Sequence, residues 1–313
     1  MSDTARGVVL SGTGGVWKVH LDDRRAVDAS LRGRLKKSRD QPGEEPTGLK
    51  LAVGDFVRVE QSDHGDWAIT EILPRRSKLA RRAPGGAHGE RVLAANVDQV
   101  IVMFAAVKPE PHPRMLDRFL VIAEANELPS RIVINKIELA DLSAVKAMFS
   151  PYELAGYPVH YVSVKSRLGL EPLHDAFAGH ISVLTGPSGV GKSSLLNATF
   201  PGANLRVGEI SESVQKGRHT TVGAVMLELP GAEGGFIVDT PGLREVGLWS
   251  IPSDRLDSCF PEFRPHLEKC RFGDCIHVHE PDCGVREAVA RGEISAARYE
   301  SYMLLLEDVR AAG

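Results

Sequence analysis

The sequence predicts a multidomain chain: a small OB-like β-barrel, a central α/β domain with a mostly parallel sheet, and an α-rich C-terminal unit that binds metal. Three observations carry this expectation. Short alternating apolar runs broken by turn residues crowd the stretch from Gly7 to Leu73. Strand-like and helix-like runs then alternate from Gln99 onward, and cysteines and histidines gather between Cys270 and Cys283. The units expected are 1–83 for the barrel, 84–90 for a linker, 91–250 for the α/β domain and 251–313 for the metal-binding unit.

Of 313 residues, 42% are hydrophobic and 25% charged, which suits globular domains able to bury cores. No apolar run reaches the length of a membrane span, and Met1–Gly15 lacks the basic-then-apolar order of a secretory leader, so a cytoplasmic chain with no membrane partner is expected. The charge is uneven: up to Arg91 there are 17 Lys and Arg against 13 Asp and Glu, and beyond it 21 against 28. A basic first third on an acidic chain points to an anionic partner, with a merely solvated surface as the bland alternative.

In the first unit, Gly7–Leu10, Val16–Leu21, Ala26–Leu35, Leu51–Glu60 and Trp67–Leu73 read as the strands of a closed barrel. Arg32, Arg34, Lys36, Lys37 and Arg39 stand at the start of its long loop, and Arg75, Arg76, Lys78, Arg81 and Arg82 follow its last strand. Such clusters neutralise phosphates, so RNA binding is expected of this unit. Trp17, Phe56 and Trp67 are too few to signal stacking strongly, and Phe56 reads as core.

Past the Pro/Gly-rich segment Ala83–Gly89, Gln99–Ala105 reads as a buried strand, Arg114–Asn126 as an amphipathic helix and Ser130–Ile134 as a strand. Leu142–Phe149 reads as a helix, Pro158–Val164 as a strand, Leu170–Ala178 as a helix and Ile181–Thr185 as a strand. Beyond the weakly patterned Asn204–Val222, Val225–Leu229 and Phe236–Asp239 form a hairpin-like pair. The helical run Ile294–Val309 reads as packing.

The loop after Thr185 is Gly186-Pro187-Ser188-Gly189-Val190-Gly191-Lys192-Ser193, two glycines four residues apart followed by Lys and Ser, with a helix-prone run opening at Ser194. A strand, this loop and a helix together make a P-loop, whose amides and helix N-terminus cradle phosphates. Lys192 then reaches the β- and γ-phosphates as a catalytic cation, and Ser193 holds Mg²⁺.

Three further motifs each close a strand. Asp239-Thr240-Pro241-Gly242 supplies a carboxylate for the Mg²⁺ shell and, at Gly242, an N–H for the γ-phosphate. Asn135-Lys136-Ile137-Glu138 matches an Asn-Lys-x-Asp guanine reader, whose carboxylate accepts from donors that adenine does not offer. Glu138 stands where Asp is usual, and its extra methylene moves the carboxylate by about 1 Å. Ser163-Val164-Lys165 matches an accessory guanine loop. Together they read as a GTPase that binds GTP and GDP. The guanine motifs precede the P-loop, the reverse of the ordinary order, so the domain is circularly permuted. An ATPase is disfavoured by Asn135-Lys136.

Cys270, Cys275 and Cys283, with His277 or His279, supply three thiolates and an imidazole within one short stretch, a closed tetrahedral Zn²⁺ site of structural type, one ion per chain. Buried unligated thiols are the alternative, and Cys259 reads as an ordinary buried thiol.

Barrel, permuted GTPase motifs and Cys/His cluster together resemble the ribosome small-subunit-dependent GTPase A family, the bacterial RsgA/YjeQ group, over essentially the whole chain. The resemblance implies a late-stage assembly factor of the small (30S) ribosomal subunit that hydrolyses GTP to GDP and phosphate under stimulation by that subunit. It implies 16S rRNA as partner, with no DNA, and a monomer is expected. It also selects His277 as the fourth zinc ligand.

Many GTPases orient the attacking water with a glutamine after Asp-x-x-Gly, but Leu243 occupies that place. His219, in Gly217-Arg218-His219-Thr220-Thr221, is the nearest replacement, and the resemblance points to it too. Thr221, or else Thr220, offers a hydroxyl to Mg²⁺. The competing reading from another class is an RNA-binding module whose nucleotide site is a latch with negligible turnover; Lys192, Ser193 and Asp239 argue against it.

Overall fold

Side-chain alternation closes the barrel. A computed structural model of the chain describes residues 4–33, 50–82, 90–203, 224–231, 233–239 and 253–312. Strands β1 (Thr4–Thr13), β2 (Val16–Leu21), β3 (Ala26–Leu31), β4 (Phe56–Gln61) and β5 (Trp67–Ile72) close in the order β1-β2-β3-β5-β4. Only β3 and β5 run parallel. Inward residues Val9, Val19, Leu21, Leu31, Val57, Val59, Trp67 and Ile69 fill the interior, the outcome of period-two patterning on both rims of each hairpin.

The strand expected over Leu51–Glu60 begins only at Phe56. Ahead of it Ala52–Asp55 is a turn: Gly54 has φ +87° and the Asp55 carboxylate accepts from the Ala52 N–H at 2.7 Å. Phe56 itself is half-buried, beneath the Arg6 guanidinium, while Trp67 is the aromatic of the barrel core.

One expected phosphate contact is corrected. Arg75 donates to both oxygens of the fully buried Asp55, at 2.6 and 2.8 Å, and is itself half-buried. Removing Asp55 from water is tolerable only with this partner, so Arg75 is structural. Arg76 remains exposed beside Asp98. Arg34, Lys36, Lys37 and Arg39 lie outside the described residues.

Strands β6 (Lys78–Arg82) and β7 (Glu90–Ala95) pair antiparallel on either side of residues 83–89. Their Leu79 and Ala94 are buried in the cluster that continues into the α/β domain. There β8 (Gln99–Ala105), β9 (Ser130–Asn135), β10 (Val159–Tyr161), β11 (Ile181–Thr185), β12 (Val225–Glu228) and β13 (Phe236–Asp239) form one sheet in the order β10-β9-β8-β11-β13-β12. All neighbours are parallel except β12 and β13.

Helices α1 (Pro113–Ala125) and α2 (Leu142–Leu154) cover one face, against Val100, Val102, Phe104, Ile132 and Ile134. Helices α3 (Glu171–Phe177) and α4 (Lys192–Thr199) cover the other, against Ile101, Met103, Val133 and Leu184. Alternate residues of β8 thus enter opposite cores, which explains its unbroken apolar run. The C-terminal ends of β9, β10, β11 and β13 all lie at the same end of the sheet.

The C-terminal unit is α-rich, as expected: α5 (Arg264–Leu267), α6 (Gly284–Ala290) and α7 (Ala296–Ala312). Its Phe260, Phe263, Tyr302 and Leu305 belong to the same buried cluster as Leu116, Phe119 and Leu120 of α1. Polar contacts line this seam. Arg298 of α7 pairs with Asp117 of α1 and with Glu262, Arg114 meets Asp308 at 2.9 Å, and Arg264 meets Glu124 at 2.6 Å. The last helix therefore docks the C-terminal unit on α1. Among the described residues, no helix is long and apolar enough to cross a membrane.

Candidate nucleotide site and metal centre

The phosphate loop is shaped by its glycines. Gly186 has φ +135°, and a Cβ there would lie 2.0 Å from the Met103 carbonyl oxygen, so the turn out of β11 admits no other residue without backbone movement. Gly191 has φ +100° immediately before α4, with Asn135 Nδ2 where a Cβ would stand. Val190 anchors the loop in the core. Pro187 is half-buried, and Ser188 and Gly189 are exposed. Lys192 and Ser193 open α4 and are buried; Ser194 follows, half-buried. The Lys192 ammonium donates to the Gly186 and Pro187 carbonyls at 2.9 and 2.8 Å, which holds a cation against the loop backbone.

Asn135 ends β9 with its side chain buried. Its Nδ2 donates to the Val190 carbonyl at 2.9 Å, and its Oδ1 accepts from the Val164 N–H at 3.2 Å. One amide thereby ties the loops after β9, β10 and β11 together. Lys136, at φ +63°, lays its ammonium across the site onto the carbonyls of Lys108 and Gly189, the latter at 2.7 Å. Glu138 lies exposed in the 3-10 turn Ile137–Leu139. Ser163 is fully buried, its Oγ accepting from the Ser166 N–H at 3.1 Å, while Lys165 is exposed.

Asp239 ends β13, two strands from β8 and next to β11, and is buried. Ser193 and Asp239 are thus a hydroxyl and a carboxylate carried by adjoining elements on one rim, a donor set suited to a hard dication. His219, Thr220, Thr221, Gly242 and Leu243 lie outside the described residues.

The metal-ligating atoms of Cys270, Cys275, His277 and Cys283 all lie within 4.8 Å of one another. His277 Nδ1 is 3.3 Å from Cys283 Sγ and 3.6 Å from Cys270 Sγ. A tetrahedral zinc with Zn–S near 2.3 Å and Zn–N near 2.0 Å would set such edges at about 3.5 Å, so the residues fit the ion. His279 is exposed, leaving His277 as the imidazole of the cluster. Burial pushes the Cys275 thiol up to about 12 and raises that of Cys283, so these sulfurs need a cation to carry charge. Cys259, away from the cluster, is a buried thiol pushed up to about 11 by its burial.

Around this centre stand residues that the sequence reading missed. Asp257 Oδ2 lies 3.2 Å from His277 Nε2 and orients the ring, a carboxylate–histidine pair of the kind that supports metal sites. The hydroxyls of Tyr299 and Tyr302 donate to the carbonyls of His277 and Ile276 at 2.6 and 3.0 Å, fastening the metal loop to α7. Glu280 accepts from the N–H groups of Ile276, Val278 and His279, and these backbone bonds outweigh its burial to hold its carboxyl at about 2. At the nucleotide site the missed group is Lys108. It follows the C-terminal end of β8, and that rim position was the available signal.

A family model described as RsgA GTPase matches residues 72–249. The chain is 56% identical over 311 residues to a protein of Gemmatimonas aurantiaca named small ribosomal subunit biogenesis GTPase RsgA, covering 99% of both chains. A protein of the same name from Thermotoga petrophila is 39% identical, over 99% of this chain and 98% of that one. The crystal structure of YjeQ from Thermotoga maritima superposes with a TM-score of 0.78 at 34% identity, covering 98% of this chain and 99% of that one. That of YloQ, described as a circularly permuted GTPase, gives 0.75 at 25% identity, covering 99% and 96%.

Proposed function

We propose, since the chain belongs to the RsgA GTPase family, that it is an assembly factor of the small (30S) ribosomal subunit, hydrolysing GTP to GDP and phosphate under stimulation by that subunit. The observation that carries this reading is the reach of Asn135. By bonding both Val190 and Val164 it makes guanine-reading loops and phosphate loop one rigid cradle.

In that cradle the Glu138 carboxylate accepts from guanine and the Ser163–Lys165 backbone meets its remaining edge. Gly186 to Ser194 wrap the phosphates. As the γ-phosphoryl departs, charge on its oxygens is met by the Lys192 ammonium and by the amides of the loop. Ser193, Asp239 and Thr221 hold Mg²⁺, which supplies neutralising charge when bound, and the Gly242 N–H faces the γ-phosphate. Leu243 cannot bond water, so His219 orients the attacking water.

Cys270, Cys275, His277 and Cys283 hold one structural Zn²⁺. The barrel, taken as residues 1–83, contacts 16S rRNA; residues 84–90 link it to the GTPase domain, 91–250, and residues 251–313 form the zinc unit. The protein acts in the cytoplasm as a monomer, without DNA or membrane.

The deciding experiment is phosphate release from GTP and from ATP, with and without purified small ribosomal subunits. Turnover of GTP alone, accelerated by subunits, is expected. Comparable ATP turnover would overturn the guanine reading, and absent stimulation the ribosomal one.

A further inference from the structure

The loop after β8 is a wall of the site that the Asn135 side chain does not fasten. That side chain bonds the loops after β10 and β11, and the Asn135 carbonyl accepts from the Ala106 N–H at 2.7 Å. Past Ala106 the chain runs Val107-Lys108-Pro109-Glu110-Pro111. Its two prolines have no N–H to give, so the segment is poor in backbone donors. Lys108, Pro109 and Glu110 are exposed, while Pro111 is buried.

Among the described residues, the one hydrogen bond to residues 107–111 comes from the Lys136 ammonium, which donates to the Lys108 carbonyl. The same ammonium donates to the Gly189 carbonyl of the phosphate loop at 2.7 Å. The two loops also abut, since a Cβ built on Gly189 would lie 3.9 Å from Pro109 Cδ. One cation thus bridges the loop after β8 and the phosphate loop.

Both lysines hold the left-handed backbone region, Lys108 at φ +51° and Lys136 at φ +63°. Residues other than glycine take that region at a cost, and such outliers gather where function demands them. At Lys108 the conformation has a visible result: its carbonyl is presented to the ammonium of a neighbouring loop.

We infer that Lys108 is a positioning residue for the nucleotide, acting through its main-chain carbonyl. It holds the Lys136 ammonium at the join of the two loops, so that both walls close on one ligand. The Lys108 side chain takes no part. The turn at this position is open to glycine and strongly disfavoured for a β-branched residue. The inference rests on the function proposed above, in that the ligand is a guanine nucleotide.

Two substitutions separate backbone from side chain. Lys108→Gly deletes the side chain and keeps the turn, whereas Lys108→Val forces the turn open. Titration with a fluorescent GDP should give an affinity within about twofold of the parent for Lys108→Gly and about tenfold weaker for Lys108→Val, the worth of a bond from a charged donor. An equal loss in both overturns the inference, because the side chain is then the contact. So does an unaltered affinity in Lys108→Val. Lys136→Met should itself weaken binding, and adding Lys108→Val to it should bring no further loss; full additivity overturns the inference.

A measurement on the nucleotide-free protein decides the matter apart from the guanine reading. The NMR signal of the Lys136 ammonium, protected from exchange by its two bonds, should persist in Lys108→Gly and vanish in Lys108→Val. Its persistence in Lys108→Val overturns the inference whichever nucleotide binds. Tight ADP binding by the parent faults the guanine reading and leaves the Lys136 signal to judge the positioning role.

Discussion

Arg298 on α7 and Asp117 on α1 form an ion pair sealed between the two helices, each side chain only 2% exposed. Glu262 meets the same guanidinium at 2.6 Å, and the rings of Phe260 and Tyr152 lie 4.6 and 5.0 Å from it. Arg298→Met leaves two carboxylates buried in the seam without their guanidinium, and a buried charge without its partner costs about 3–5 kcal/mol. Urea unfolding should report a loss of that size, with Arg298→Met/Asp117→Asn recovering part of it. A variant as stable as the parent would show that water reaches the seam.

Asn135→Ala removes the donor to Val190 and the acceptor for Val164 together. Each buried group left unpaired costs about 1–3 kcal/mol, and the loops are no longer held in one register. Titration with a fluorescent guanine nucleotide should show affinity at least about tenfold weaker, with thermal stability reduced only modestly. Unchanged affinity would mean that the nucleotide itself orders the loops.

The metal centre should be sensitive to acid. Thiols that burial holds protonated, Cys275 up to about 12, must release protons to bind zinc, so affinity rises with pH and is lost as pH falls. Zinc competition titrations from about pH 6 to about pH 8 should show tighter binding at the upper end. Cys275→Ser should lose the ion and unfold the C-terminal unit. Elemental analysis finding no zinc in the purified parent would refute the site.

His219→Ala should leave GTP affinity and subunit binding nearly unchanged while lowering subunit-stimulated turnover by about 10²-fold, the contribution of a positioned acid–base group. Single-turnover hydrolysis on purified subunits is the measurement. A retained rate would assign the water to backbone or to the ribosome.

What could be read in the sequence was what chemistry forces to be contiguous. A phosphate loop needs Gly186, Lys192 and Ser193 side by side, and a small zinc loop needs its four ligands within a short span. Strand β8 showed itself because burial on both faces leaves an unbroken apolar run from Val100 to Ala105. What escaped was pairing at a distance. Arg298 and Asp117 are 181 residues apart, and Asp257 is 20 residues from the histidine it orients, so neither pattern has a local signature. Arg75 misled for a related reason. Beside Arg76 it resembles a phosphate contact, and only the fold reveals that the buried Asp55, 20 residues earlier, has claimed its charge.

The permuted strand order also sets a schedule for synthesis. As the chain leaves the ribosome, β8, β9 and β10 can pair in sequence, each new strand adding to a free edge, before any residue of the phosphate loop has been made. These pairings are between near neighbours in the chain, the kind that forms fastest. The half of the site that carries Asn135 can thus be standing when β11 arrives on the opposite edge of β8, and Val190 then meets an Asn135 already in place. In a GTPase of ordinary order the phosphate loop would emerge first and wait for its partner. Nascent-chain truncations ending near residue 180 should therefore carry a protease-resistant core, built without the nucleotide's phosphate site.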